Sequence, residues 1–366
     1  MNAWLFGRRV DLGVFVGAPL VAIVIALIAS VAGVHEPPSW ALLALVICVD
    51  VAHVHGTLFR VYLDGAEVRR RPWLYVGAPF ALYAFGACLY ATFGAHGFWR
   101  LLAYVAVFHF IRQQVGWVAL YRSKEPTATP FDARLDALAI YAATVGPLAW
   151  WHAHLPRAFV WFVEGDFVAG LSDPIARAVL GFEAIVLSLF FLRQIMRLRR
   201  DEALVAGRSI VVATTAVAWF AGIVVAQDDL AFTALNVIPH GVPYLALTWC
   251  YARHRYGDDR AAAPLARAIV ARGALAIVAS LVAIALVEET LWDRLVWHDH
   301  PRFFGEGALL SPRALTFVVP LLALPQATHY LLDGFVWRRR DNPTLAGLFS
   351  SAAVTQRALE RTRASN

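Results

Sequence analysis

Five histidines fall in stretches of chain too apolar to lie in water: His53, His55, His109, His240 and His329. Neutral imidazole suits iron, copper or zinc. Because an ionisable side chain is costly inside hydrocarbon, its presence there marks a functional site by default. Each histidine has a polar companion about one helical turn away, on the same helix face. Asp50 precedes His53 by three positions, and Thr57 follows it by four. Arg112 and Gln113 follow His109; Asn236 precedes His240; Gln326 and Asp333 bracket His329. Metal-bound imidazole usually passes its second ring nitrogen to a carboxylate or carbonyl oxygen. The expected site is a metal held by His53, His55, His109, His240 and His329, with Asp50, Arg112, Gln113, Asn236, Gln326 and Asp333 orienting the ligands or meeting the substrate.

The elements that carry these residues follow from composition. Of 366 residues 60% are hydrophobic and only 16% charged, well below the charged share of soluble domains, and mean hydropathy is +0.59. A helix of about 20 apolar residues spans the hydrocarbon of a bilayer. Ten such stretches are expected, near 12–34, 39–59, 74–94, 98–121, 137–155, 175–193, 209–227, 230–252, 269–288 and 314–337. The fifth, which contains Pro147, and the seventh are the weakest. The first is too long for a signal-peptide core and lacks a small-residue cleavage site, so it is expected to stay. The fold class is all-α, a polytopic membrane helix bundle. Residues 1–337 are read as one transmembrane domain and 338–366 as a short basic tail with room for one short helix.

Basic residues give the orientation, because they collect on the cytoplasmic side of a membrane protein. Of the 32 Lys and Arg, 25 fall at the N-terminus, in the tail, or after even-numbered segments. Six (Arg100, Arg157, Arg177, Arg294, Arg302, Arg313) fall on the other side, and Arg112 lies within a segment. Both termini are therefore expected in the cytoplasm, in a membrane of the bacterial inner or plasma type. Orientation and anionic headgroups account for the +6 charge, so nucleic acid is not an expected partner. Cys48, Cys88 and Cys250 lie in apolar segments without CxxC spacing, indicating neither a disulfide framework nor a zinc finger.

All five histidines sit on even-numbered segments, which run the same way. Counting to the next cytoplasmic basic residue at about 1.5 Å per residue places them roughly 8 to 20 Å from the inner boundary. His53 and His55 are about 200° apart on an ideal helix, so both face one site only if the helix distorts, for which Gly56 offers freedom. Pro239 and Pro243 around His240 predict a kinked or interrupted helix, tolerated at membrane depth only where it lines a cavity or is buried; Pro325 predicts the same before His329. The fourth and eighth segments share the register His109-x12-Arg122 and His240-x12-Arg253. The second and tenth share the order His, Asp, basic cluster. Both similarities hint at an old duplication. Arg112 needs a partner, with Asp50 and Asp333 as candidates. On the outer side, His152/His154 and His298/His300 form His-x-His pairs able to bind zinc or copper, with solvated loop histidines as the plainer account, as for His35 and His96.

Scattered imidazoles reached from within a bilayer suggest iron used for O₂ chemistry on an apolar substrate. The fatty-acid desaturase and hydroxylase class carries H-x3-4-H and H-x2-H-H boxes, and neither occurs here, which argues against membership. The chain more nearly resembles the Brp/Blh β-carotene dioxygenases, multi-pass proteins whose iron is held by histidines scattered singly over several helices. One of their motifs contains Pro-His-Gly, as Pro239-His240-Gly241 does here. That match covers three residues, and Val242-Pro243-Tyr244 follows where the family has a small residue and an acid. The resemblance implies non-haem iron and cleavage of a carotenoid, an isoprenoid-like substrate. For iron chemistry on a lipid or isoprenoid-like substrate more generally, an electron donor is among the expected partners. Two other readings stand beside it: a bis-histidine haem b electron-transfer protein, and a transporter with a His/Asp/Arg site. No Walker A, GxSxG, HExxH or Rossmann motif stands in a supporting context.

Overall fold

The computed structural model describes residues 3–34, 37–202, 204–257, 263–338 and 342–349. His35, Arg260, Arg339, Arg340, Arg357, Arg361 and Arg363 lie outside them. The regular secondary structure of the described residues is entirely helical, without strands. In chain order they form α1 (Arg8–Ala32), α2 (Ser39–Tyr62), α3 (Gly65–Arg70), α4 (Trp73–Arg122), α5 (Pro130–Ala153), α6 (Asp173–Leu198) and α7 (Ala206–Val225). There follow α8 (Asp229–Tyr256), α9 (Pro264–Val270), α10 (Ala274–Trp297), α11 (Pro301–Phe304), α12 (Pro312–Val336) and α13 (Pro343–Phe349). Helix α13 is the short helix expected in the tail.

Among the described residues, eight helices are long and apolar enough to cross a membrane: α1, α2, α4, α6, α7, α8, α10 and α12. The expected third and fourth segments appear as one 50-residue helical run, α4, broken at Gly94, whose φ of 70° and ψ of −174° are not helical. The fifth is present as α5, whose N-terminus is fixed by a capping box between Thr129 and Asp132. It is not among the eight, since Asp132, Arg134 and Asp136 crowd its first turns and Pro147 and His152 its last.

The chain divides into two compact units, each discontinuous: Met1–Leu45 with Trp99–Pro243, and Val46–Phe98 with Tyr244–Asn366. In the first, Ala18, Ala22 and Ala29 of α1, Ala41 and Leu45 of α2, and Leu230, Ala234, Leu235 and Ile238 of α8 form one buried cluster. Small residues let membrane helices approach closely, which matters where lipid removes the hydrophobic drive for association. Arg208 and Arg197, both fully buried, tie the ends of this unit's helices together. Arg208 reaches Glu125 at 2.6 Å and Asp136 at 2.8 Å; Arg197 reaches Glu125 at 2.8 Å and Glu202 at 2.7 Å; Arg193 reaches Asp132 at 3.0 Å. Burial favours the neutral form of Asp132, but hydrogen bonds from Arg193 and Thr129 outweigh it and hold the carboxyl below its ordinary range. Arginines read from the sequence only as orientation signals are thus also buried fasteners.

In the second unit, Arg60 takes the corresponding part. It donates to the Val336 carbonyl at 2.6 Å, to Glu67 at 3.1 Å and to the Tyr251 hydroxyl at 3.3 Å. Glu67 also receives Arg70 at 2.6 Å and Tyr75 at 2.7 Å. Desolvation pushes its carboxyl up, and these partners bring it net below the ordinary range. Gly56 packs against α8, where an added Cβ would stand 2.7 Å from Thr248 Oγ1 and 3.0 Å from Tyr244. Its lack of a side chain serves close helix approach here.

Candidate metal centre

All five histidines are buried, none above 7% exposed. Helix α2 delivers two of them from an unusual backbone. It winds as a π-helix over Leu42–Val51 and again over Leu58–Tyr62, with an ordinary turn at Ala52–Val54 between. π-turns are uncommon and often accompany functional sites. They do not bring His53 and His55 to one place. The ring of His53 lies edge to face with His329, centres 5.1 Å apart, and 5.5 Å from that of Tyr244. His55 points to α10, where its Nε2 lies 2.8 Å from Glu288 Oε2. The wide angle between positions two apart therefore persists, and His53 rather than His55 joins His329.

The His53–His329 pair is held from behind. His53 Nδ1 donates to the Val49 carbonyl at 3.2 Å, and since a carbonyl only accepts, the lone pair of that ring sits on Nε2. Asp50, half-buried, stands 3.8 Å from the same Nδ1. His329 Nδ1 shares a 3.1 Å hydrogen bond with the Thr57 hydroxyl and lies 3.8 Å from Asp333. Asp333 in turn accepts from Tyr244 at 2.8 Å and Trp337 at 3.1 Å. Imidazoles fixed through one nitrogen by oxygen partners are arranged as metal ligands usually are. Helix α12 is interrupted at Ala323, two residues before Pro325, so His329 is delivered by a separate helical piece, Leu324–Val336. Gln326 on that piece is half-buried.

The first unit contains a second pair. The rings of His109 and His240 lie edge to face with centres 5.2 Å apart, and Phe110 stacks on His240 at 3.5 Å with 7° between planes. Gln113 donates to the His240 carbonyl at 3.2 Å. Asn236 donates to Phe232 of its own helix at 2.8 Å, and lines, with Gln114, Thr215 and His240, an enclosed space of about 10 Å³, close to what one water needs. Of the two outcomes expected at Pro239 and Pro243, a kink or a break, the break is not seen: α8 continues through both prolines. The two pairs join the histidines of the segments that share register in the sequence, the fourth with the eighth and the second with the tenth.

The expectation for Arg112 is corrected, and the outer histidine pairs have partners other than a metal. Arg112 lies on the exposed face of α4 and donates to the Tyr141 hydroxyl at 3.3 Å, so it is not a buried cation seeking Asp50 or Asp333. His152 and His154 point to different partners: His152 Nδ1 to the Leu148 carbonyl and Nε2 to the Tyr104 hydroxyl; His154 Nδ1 to the Trp150 carbonyl, with Nε2 3.3 Å from Asp173. That spends the donors a surface metal would need. In the other pair, His298 Nδ1 lies 3.3 Å from the Val296 carbonyl and His300 Nδ1 3.6 Å from Asp293.

Glu288 was missed by sequence reasoning, although a pair of acids, Glu288 and Glu289, inside an otherwise apolar segment is a visible signal. Tyr244, which follows Pro243 in the middle of α8, was also missed, because a tyrosine within an apolar span carries no signal of a partner such as Asp333. The fold and the buried imidazoles define a polytopic helical protein of membrane type. No protein-family model, curated protein or solved structure matches the chain.

Proposed function

We propose that the protein is an integral membrane oxidoreductase of the oxygenase type that holds non-haem iron on imidazoles and acts on a lipid or isoprenoid-like substrate. The observation that carries this reading is the geometry at His53 and His329: two buried, near-contact imidazoles, each fixed through Nδ1 by an oxygen partner. The donor set suits iron, copper or zinc; iron, when bound, supplies the oxidising power for O₂ chemistry. His53, His109, His240 and His329 are the proposed ligands. His55, engaged with Glu288, is assigned to proton handling. Thr57, Asp50 and Asp333 hold the ligands in place, and Gln113 and Asn236 support His240. The edge-to-face rings within each pair leave no slot for a flat macrocycle, which favours an ion over haem b.

We further propose ten membrane passes with both termini cytoplasmic, in a bacterial inner or plasma membrane. The break at Gly94 divides α4 into two passes, α5 supplies another, and the basic residues partition 25 to 6. An electron donor is a proposed partner if one oxygen atom leaves as water; a reaction that puts both oxygen atoms into the product needs none.

Metal analysis of purified protein tests the reading. Iron is expected in stoichiometric amount and is lost on alanine substitution at His53, His109, His240 or His329. Unchanged metal in all four variants refutes it, a Soret band replaces it with the haem reading, and a metal-free preparation that moves solute across liposomes replaces it with the transporter reading.

A further inference from the structure

The second unit contains a cavity of about 450 Å³ that the proposed function leaves unassigned, within the usual range for ligand sites. At one end lie His55, Thr57 and Thr328, the non-aromatic polar residues of an otherwise apolar wall. At the other, Val76, Phe80 and Leu321 are exposed. These three stand on α4 and α12, helices long and apolar enough to cross a membrane, so the mouth opens toward hydrocarbon. A ligand entering there must already be dissolved in the bilayer.

The closed end is chemically selective. His55, Thr57 and Thr328 line it and are all buried; a hydroxyl both donates and accepts, and a neutral imidazole has one nitrogen of each kind. Glu288, whose Oε2 lies 2.8 Å from His55 Nε2, is not among the lining residues. A hydroxyl or carbonyl placed there is satisfied; a plain hydrocarbon leaves the polar groups unanswered, which costs affinity. Thr57 connects the same end to the pair through its bond with His329.

We infer that this cavity binds a long-chain lipid with a single hydroxyl or carbonyl end, the polar end at His55 and the chain directed past Val76 and Phe80. Its role as the substrate site rests on the proposed function; the binding itself does not require metal.

The test is photolabelling in lipid nanodiscs with a long-chain alcohol carrying a diazirine at its far end, adducts being located by mass spectrometry. Adducts are expected to concentrate on residues 73–80 and 321–328. Unlabelled alcohol should displace the probe about tenfold better than the alkane of equal length. Leu324→Trp, which fills the cavity, should abolish the adducts, and Val76→Trp at the exposed mouth does the same if the first variant fails to fold. His55→Phe should keep the adducts and erase the preference for alcohol. Adducts spread evenly over the lipid-exposed helices, or unmoved by the folded tryptophan variants, overturn the inference. The His53→Ala, His329→Ala protein separates the two readings. Retained labelling without metal supports a site that stands by itself, whereas wild-type protein with metal but without localised adducts sinks the cavity and spares the iron.

Discussion

The Thr57 hydroxyl lies 3.1 Å from Nδ1 of His329, a buried contact that joins α2 to α12 within the second unit. That bond helps set the rotation of an imidazole that also faces Asp333, His53 and Tyr244, and its removal is the gentlest way to ask whether the ring is a ligand. If it is, Thr57→Val should weaken metal retention about 10- to 100-fold, the usual effect of removing an outer partner, while Thr57→Ser keeps it. Chelator competition followed by elemental analysis gives the answer, and equal retention in both variants would falsify the outer-partner role.

Gly56 should not accept a side chain. Gly56→Val drives methyl groups into Thr248 and Tyr244, and overpacking of this kind costs about 1–3 kcal/mol. Adding Thr248→Ala should recover part of the loss, and the coupling from the double-mutant cycle should be positive. Additive effects on detergent unfolding show that the contact is absent.

The buried ions of the first unit should behave as a linked group. Removing Arg208 as Arg208→Met leaves Glu125 and Asp136 short of a cation, with an expected loss of about 3–5 kcal/mol. Because the network is shielded from solvent, the loss should change little between low and high salt. A loss that vanishes in high salt would place these residues at an open surface.

Acid should unfold the protein through specific carboxyls. Asp132 and Glu67 both titrate below their ordinary ranges in the folded state, so they bind protons more readily unfolded. Their stabilisation is complete above the unfolded carboxylate values and is lost as pH falls through the folded ones. Asp132→Asn and Glu67→Gln should each lower Tm near neutrality and flatten its decline on acidification. An unchanged slope between neutrality and strong acid contradicts the assignment.

Single cysteines can count the passes. Under the ten-pass topology, a cysteine at His96 or Arg157 reacts with an impermeant maleimide from outside, and one at Lys124 or Arg200 only after permeabilisation. The endogenous Cys48, Cys88 and Cys250 are replaced first. Lys124 and His96 labelled from the same side would remove the division of α4 at Gly94.

What the sequence disclosed follows from short-range regularities. Apolar length revealed most of the spans, and the costliness of buried imidazole singled out the five histidines, all of which are buried. Register similarity even foreshadowed which would pair. What it concealed depends on the third dimension. Nothing in the order of residues says that α2 would wind as π-turns, that Gly56 would serve a neighbouring helix, or that Arg60, Arg197 and Arg208 would turn inward among carboxylates. The length rule could not show that two segments would join into one run at Gly94. Arg112 misled because its position along the segment, rather than its face, was read.

The interleaved division of the chain has a consequence for biosynthesis. Residues 46–98 emerge from the ribosome before all of 99–243, yet their unit is completed only by residues from 244 onward. A newly made second unit therefore spends the synthesis of the entire intervening stretch without its partners, its polar groups in need of temporary shelter. No single cut between residues 46 and 243 leaves both units on intact fragments. This architecture ties quality control to the last helices made, so that a truncated product is structurally incomplete and recognisable as such.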